Sequence, residues 1–263
     1  MIIDSLTHIT PTGQWFDTSF DAGEQQLLRQ LDDSSVERAV MVALAGHIEN
    51  RFVREVCERH PSRLIPCASF NPAAHTTPSE VRSRVRDELQ GQPYRALKLH
   101  PRLNRYDPLD ARCLAVLEEV AMFDRPLPIW MDTLFYYHGG TLSKPVVDTI
   151  HELVGKFPSL TFVLLHGGGT WIAHVAEAVR DCPNAFLDIS FTLHRYRDLL
   201  DREIRHLVST FDRRVIFGSD FPEISIRDAL QSFHEVTTGL PAEKCANVLG
   251  ANLGRILRLH STT

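Results

Sequence analysis

The sequence has no Cys-x-x-Cys pair, no run approaching the ~20 apolar residues of a membrane span, and no glycine-rich phosphate turn after its first apolar run. Each absence excludes a class. The five cysteines, Cys57, Cys67, Cys113, Cys182 and Cys245, are odd in number and scattered. Neither a disulfide framework nor a cysteine zinc site is expected, and a reduced, cytoplasmic setting is the simplest reading. Cys57, Cys113 and Cys245 fall in helical patterns, where a thiol packs as a small apolar group. There is no basic excess either. Lys and Arg number 28 against 33 Asp and Glu, for a net charge of -5. Arg195 and Arg197 form no extended stripe, so a nucleic-acid partner is not expected. The N-terminus goes straight into a short strand without a basic region and a long apolar stretch, so neither a signal peptide nor a membrane partner is expected.

What the chain does have is an unbroken alternation of short apolar runs and amphipathic segments. Strands are predicted at 2–8, 39–43, 64–70, 96–100, 127–132, 161–166, 186–190 and 215–219. Helices follow them near 24–33, 48–60, 77 onward, 110–122, 144–157, 171–181, 197–211, 225–238 and 242–259. Thr77-Pro78-Ser79-Glu80 is a capping box with proline at the first helical position. Eight such units in 263 residues predict a single (β/α)8 barrel spanning 1–263, of the usual size for that fold. Most of the strands are apolar on both faces, as parallel strands covered by helices must be. The alternative, a doubly wound open sheet, normally carries a phosphate turn after its first strand; here that place holds Thr10-Pro11-Thr12-Gly13.

Four of the runs end in an ionisable residue: His8, Asp132, His166 and Asp220. The carboxyl ends of parallel strands are where such folds put their chemistry, so these four are the candidate catalytic residues. Lys98 and His100, two apart on the fourth strand, share one face and are candidates for holding a substrate carboxylate or carbonyl. An internal salt bridge is the competing role for Lys98. Trp171 and the turn His166-Gly167-Gly168-Gly169 line the mouth, with the glycines permitting close backbone approach. Arg102, His138, His194 and Arg195 lie on mouth loops. Of these, Arg102, His138 and His194 join Lys98, His100 and Trp171 as candidate substrate-binding residues.

Several segments are similar to one family. They are the run Phe52 to Pro61, Ala96-Leu97-Lys98-Leu99-His100-Pro101, Leu164-Leu165-His166-Gly167-Gly168, and Ile216-Phe217-Gly218-Ser219-Asp220-Phe221-Pro222, the last being the most specific. In order and placement they resemble the amidohydrolase superfamily, in its amidohydrolase family 2 branch. That branch holds metal-dependent hydrolases, decarboxylases related to aminocarboxymuconate-semialdehyde decarboxylase, and a metal-free pyrone-dicarboxylate lactonase. The resemblance implies a barrel enzyme with His166 and Asp220 in the family's sixth- and eighth-strand positions. It also exposes two departures. The family ends its first strand with His-x-His, where this chain has Leu6 and His8, and ends its fifth with His, where this chain has Asp132. Leu6 cannot ligate. His8, Asp132 and Asp220 remain as a three-ligand set with one imidazole and two carboxylates, suited to a harder and more weakly held ion.

The expected cofactor is therefore none, or a weakly bound divalent metal, zinc or manganese. The expected activity is hydrolysis of a small, carboxylate-bearing lactone, ester or amide, with Asp220 as general base. A decarboxylase or other lyase on the same scaffold is one alternative; a non-catalytic binding protein is another, since altered ligands are what a degenerate enzyme would carry. The expected partners are a small-molecule substrate and a second copy of the chain in a homodimer.

Overall fold

In the computed structural model, which describes residues 1–134 and 142–259, the eight predicted strands form one parallel sheet in the order β1 to β8. They are β1 (Ile3–Thr7), β2 (Arg38–Val42), β3 (Leu64–Ser69), β4 (Ala96–Leu99), β5 (Ile129–Asp132), β6 (Phe162–Leu165), β7 (Ala185–Asp188) and β8 (Val215–Ile216). Each neighbouring pair from β1–β2 to β7–β8 is parallel. The last edge is stitched to the first by single bonds: Ser5 N donates to Phe217 O at 3.2 Å, Asp220 N to Leu6 O at 3.0 Å and His8 N to Phe221 O at 2.8 Å. The sheet is thus a nearly closed (β/α)8 barrel.

Helices alternate with the strands: α1 (Glu24–Asp33), α2 (Asn50–Arg59), α3 (Pro78–Leu89), α4 (Pro101–Asn104), α5 (Ala111–Ala121), α6 (Val146–Lys156), α7 (Ile172–Ala178), α8 (Thr192–Arg195), α9 (Arg197–Thr210), α10 (Ile226–Val236), α11 (Ala242–Ala246) and α12 (Asn252–Ile256). The predicted cap of α3 is present in altered form. Thr77 Oγ1 accepts from Glu80 N at 3.2 Å, while the Glu80 carboxylate returns to Thr76 N at 3.0 Å, one residue earlier than a capping box requires. The predicted helix over 242–259 is broken: a π turn at Asn247–Ala251 separates α11 from α12. There Gly250 lies against the backbone of Met1, where an added Cβ would come within 2.4 Å of the Met1 carbonyl. The short helices α4 and α8 were not predicted. Both occupy mouth connections too short for a hydrophobic period to register.

Strand parity sorts the core. Ala39, Met41, Leu97, Leu99, Ile129, Met131, Phe162, Leu164 and Leu187 pack outward against the helices, in the larger of two clusters. Val40, Val42, Ile65, Cys67, Ala96, Trp130, Val163, Leu165 and Phe186 form the second, interior cluster. Because side chains alternate along a strand, Lys98 and His100 share the inward face with Ala96, Asp132 shares it with Trp130, and Asp188 with Phe186. A slip of one residue in any of these strands would turn its ionisable group out into the helical layer.

All five cysteines are free. No helix among the described residues is long and apolar enough to cross a membrane.

Candidate active site

Asp132, at the end of β5, is fully buried, and it is ringed by two imidazoles and a guanidinium. Its Oδ2 lies 3.4 Å from His166 Nε2, 3.5 Å from His100 Nε2 and 3.7 Å from Arg102 Nη2, while its Oδ1 accepts from Leu134 N at 3.2 Å. No one of these neighbours makes a short hydrogen bond to Oδ2; the charge is shared. Burial alone would raise the Asp132 carboxyl. The neighbouring His100, His166 and Arg102 outweigh it and hold the group well below the usual carboxylate range.

The same contact fixes the state of His166. Burial works against a charged ring, but the Asp132 carboxylate and the charge of Asp220 outweigh it, and the pKa is raised. His166 Nδ1 lies 3.2 Å from the Ser190 carbonyl oxygen, which can only accept, so Nδ1 carries a proton. With Nε2 3.4 Å from the Asp132 carboxylate, the surroundings favour the protonated, imidazolium form of the ring. His8 and His100 go the other way: burial, with the nearby Lys98 charge, holds both rings neutral well below the usual histidine value, although Asp132 partly opposes this at His100.

His8 is oriented by β2. Its Nδ1 donates to Val42 O at 2.8 Å, its ring stacks on Trp15 at 5.3 Å, and its Nε2 lone pair is left facing Lys98 Nζ at 3.4 Å. Lys98 is only 2% exposed. Burial lowers its pKa, against the attraction of Asp132 and Asp220.

Asp220 follows β8 and is partly buried. Burial pushes its carboxyl up to about 6, against the pull of the His166 and Lys98 charges. Asp220 and His166 both hold left-handed backbone, at φ 67° and 63°. Such a conformation costs a non-glycine residue on the order of 1 kcal/mol, and structures concentrate strain of this kind at functional sites.

Beneath these groups lies a polar floor that the sequence reading did not single out. Asp188 Oδ1 accepts from Ser190 N at 2.9 Å, His166 N at 3.4 Å and Ser190 Oγ, and its Oδ2 accepts from Ser5 Oγ. Asp4 Oδ1 accepts from Ser219 N at 2.9 Å and Leu6 N at 3.1 Å. The available signal was an acid inside an apolar strand in each case, Asp4 in β1 and Asp188 in β7. Burial raises the Asp4 carboxyl to about 7, against the hydrogen bonds from Ser219. Between its unfolded value near 4 and about 7, the folded state keeps a proton that the unfolded chain has lost. Asp4 therefore costs stability progressively as pH rises through that window. Asp4→Asn should gain Tm relative to wild type between pH 4 and pH 8, at roughly 2–4 °C per kcal/mol for a chain of this size. Calorimetry at several pH values checks this; a Tm difference independent of pH would contradict it.

The structure thus gathers His8, Lys98, His100, Arg102, Asp132, His166 and Asp220. Other expected site residues stand apart. Trp171 is 45% exposed and its ring packs on His174 of α7. His194 on α8 is exposed, with Nδ1 3.0 Å from Ser232 Oγ of α10, so its short helix turns it toward the outer layer. Arg195, on the same helix, is exposed. His138 lies outside the described residues. The glycines after His166 also have a different reason from the one expected. Gly167 and Gly168 are buried in left-handed backbone, and a Cβ on Gly168 would sit 2.7 Å from Val175 Cγ2. They let the chain turn under α7, and Gly168 N is tied to Thr133 Oγ1 at 2.8 Å.

The residues left for a metal, His8, Asp132 and Asp220, do not fit a tightly held ion. Leu6 is buried hydrocarbon. The only free nitrogen of His8 faces an ammonium, and Asp132 already balances an imidazolium and a guanidinium. Among the described residues no group of three or more His, Cys, Asp or Glu is arranged to hold a metal ion.

A family model described as amidohydrolase matches residues 3–259. No curated protein matches. Solved structures do. An uncharacterised TIM-barrel protein from Bordetella bronchiseptica is 18% identical with a TM-score of 0.76, covering 98% of each chain. A probable 2-pyrone-4,6-dicarboxylic acid hydrolase from Acinetobacter baumannii, with citric acid bound, is 16% identical with a TM-score of 0.63, covering 98% of this chain and 99% of the other. A 5-carboxyvanillate decarboxylase from Novosphingobium aromaticivorans, complexed with manganese and a nitrobenzoic acid, is 10% identical with a TM-score of 0.67, covering 98% and 96%. At these identities the likeness is one of fold.

Proposed function

The chain belongs to the amidohydrolase family, whose members are hydrolases or decarboxylases, and from that premise we propose that it hydrolyses a small carboxylate-bearing lactone, ester or amide. The observation that carries the reading is Asp220: a strand-end carboxylate raised to about 6, within the charge field of an imidazolium and an ammonium. A group with that value is ionised at neutral pH yet basic enough to take a proton from water.

In the proposed step, Asp220 accepts a proton as the water oxygen bonds to the substrate carbonyl carbon. The developing oxyanion is met by the Lys98 ammonium and the His166 imidazolium, fixed charges in a water-poor site that need no reorganisation. Asp220 then returns its proton to the leaving oxygen or nitrogen as the acyl bond breaks. His100 and Arg102, beside Asp132, are the groups proposed to hold the substrate carboxylate, Arg102 being suited to a two-pronged grip. Asp132 keeps His166 charged.

The citrate in the pyrone-dicarboxylic acid hydrolase relative supports an anionic ligand. The decarboxylase relative supports the second reading, in which the same cations hold a carboxylate that leaves as carbon dioxide. A panel of carboxylate-bearing lactones, esters and amides, each paired with its neutral methyl-ester form, and a set of hydroxybenzoic acids separates them. Acid release is followed by pH-stat and carbon dioxide by a coupled assay. Acid release favouring the carboxylate-bearing member is expected. Carbon dioxide release without acid release would replace hydrolysis with decarboxylation; binding without either product would make the chain a binding protein.

A further inference from the structure

We propose that the Lys98 ammonium stands in for the metal ion of this barrel, as a cation built into β4 and held against the face of His8 that a metal would use. The proposal concerns which cation the mouth holds, and it stands or falls independently of the reaction proposed above.

Three observations carry it. The first is the direction of His8. Because Nδ1 is spent on Val42 O at 2.8 Å, Nε2 is the only nitrogen that could ligate, and Lys98 Nζ lies 3.4 Å from it. A zinc ion on that nitrogen would sit about 2.0–2.1 Å away, and so in immediate contact with the ammonium. The second is confinement. Lys98 is 2% exposed on the inward face of β4, between the buried Ala96 and His100, so its ammonium is held inside the barrel mouth and not in solvent. The third is charge. Lys98 is attracted by both Asp132 and Asp220, the two carboxylates that would otherwise serve the ion. An added divalent ion would share that field with the ammonium already there.

Leu6 fits the same account. A ligand lost from β1 is replaced by a fully buried hydrocarbon, which a site no longer holding a metal can accommodate. It follows that restoring the missing imidazole should not by itself restore a metal. The lysine must go as well, since a divalent ion a few ångströms from a fixed ammonium is strongly repelled.

The test uses the full chain in four forms: wild type, Lys98→Met, Leu6→His, and Leu6→His with Lys98→Met. Each is incubated with zinc, dialysed and analysed for zinc per chain, and affinity is read by competition with a chromophoric chelator. Circular dichroism and thermal unfolding establish that each form is folded. Wild type and Leu6→His should retain far less than one equivalent. The double variant should bind at least about tenfold more tightly than Leu6→His. Should the methionine forms not fold, Lys98→Gln carries the same comparison as a neutral polar side chain of similar reach. Wild type retaining close to one equivalent after dialysis would overturn the proposal. So would Leu6→His binding zinc as tightly as the folded double variant, because Lys98 would then be no obstacle.

Discussion

Asp220→Asn is expected to lower kcat on the preferred substrate by roughly 10²–10⁴-fold, the usual worth of a positioned acid-base group. The amide keeps the size and hydrogen-bonding shape of the carboxylate but cannot take a proton from water. The same substitution should leave Tm unchanged or higher. Burial holds the Asp220 carboxyl up at about 6, so at neutral pH its charge costs the fold rather than supporting it. The left-handed backbone there, φ 67°, is one that asparagine also tolerates. Loss of activity with retained stability would mark a residue kept for chemistry. Steady-state kinetics and calorimetry on the same preparation check both halves. Activity within a few-fold of wild type would remove Asp220 from the mechanism; a large fall in Tm would make it a structural group.

Asp132→Asn should show the opposite pattern and destabilise the protein strongly. Asp132 is fully buried and sits 3.4–3.7 Å from His166, His100 and Arg102. Removing one partner of a buried ion pair costs about 3–5 kcal/mol when the other charge stays buried. His166 can escape part of that cost by losing its proton, which makes the cost depend on pH. In wild type its pKa is raised, so its contribution is fully present below the unfolded value near 6.5 and fades as pH rises through the folded value. The variant should therefore be most destabilised near pH 5–6 and less so at pH 8. Denaturant unfolding at those two pH values checks this. An equal loss at both would mean that His166 is not charged in the folded protein. Activity should fall too, because the imidazolium that meets the oxyanion would be neutral.

The architecture was legible in the sequence because a parallel barrel writes its strands as apolar runs at regular intervals. Helix α1 begins and ends where its pattern does, at Glu24 and Asp33. The inward parity of Lys98, His100 and Asp132 also follows from spacing alone. All strands but β2 are shorter than their runs, most of all β8, which ends at Ile216; Phe217 to Asp220 leave the ladder to cross toward β1. Spacing does not carry what depends on three-dimensional approach. Nothing local says that His8 Nε2 points at Lys98, or that Asp132 gathers two imidazoles and a guanidinium. Trp171 and His194 were candidates by chain position; at the start of α7 Trp171 packs on His174 of that helix, and the one-turn α8 sets His194 against Ser232. The Asp4 and Asp188 floor was overlooked because a single acid in an apolar strand gives no sign of what it meets across a barrel.

The account rests on one titrating carboxylate acting as base in a ring of fixed positive charge. The measurement that tests it most directly is the pH dependence of kcat/KM for wild type on the first substrate it hydrolyses. Because the base must be ionised, activity should fall as pH drops through a single acid limb near 6, and that limb should be absent from the residual activity of Asp220→Asn. A rate that stays flat from pH 4.5 to 8, or an acid limb that persists unchanged in Asp220→Asn, would contradict it.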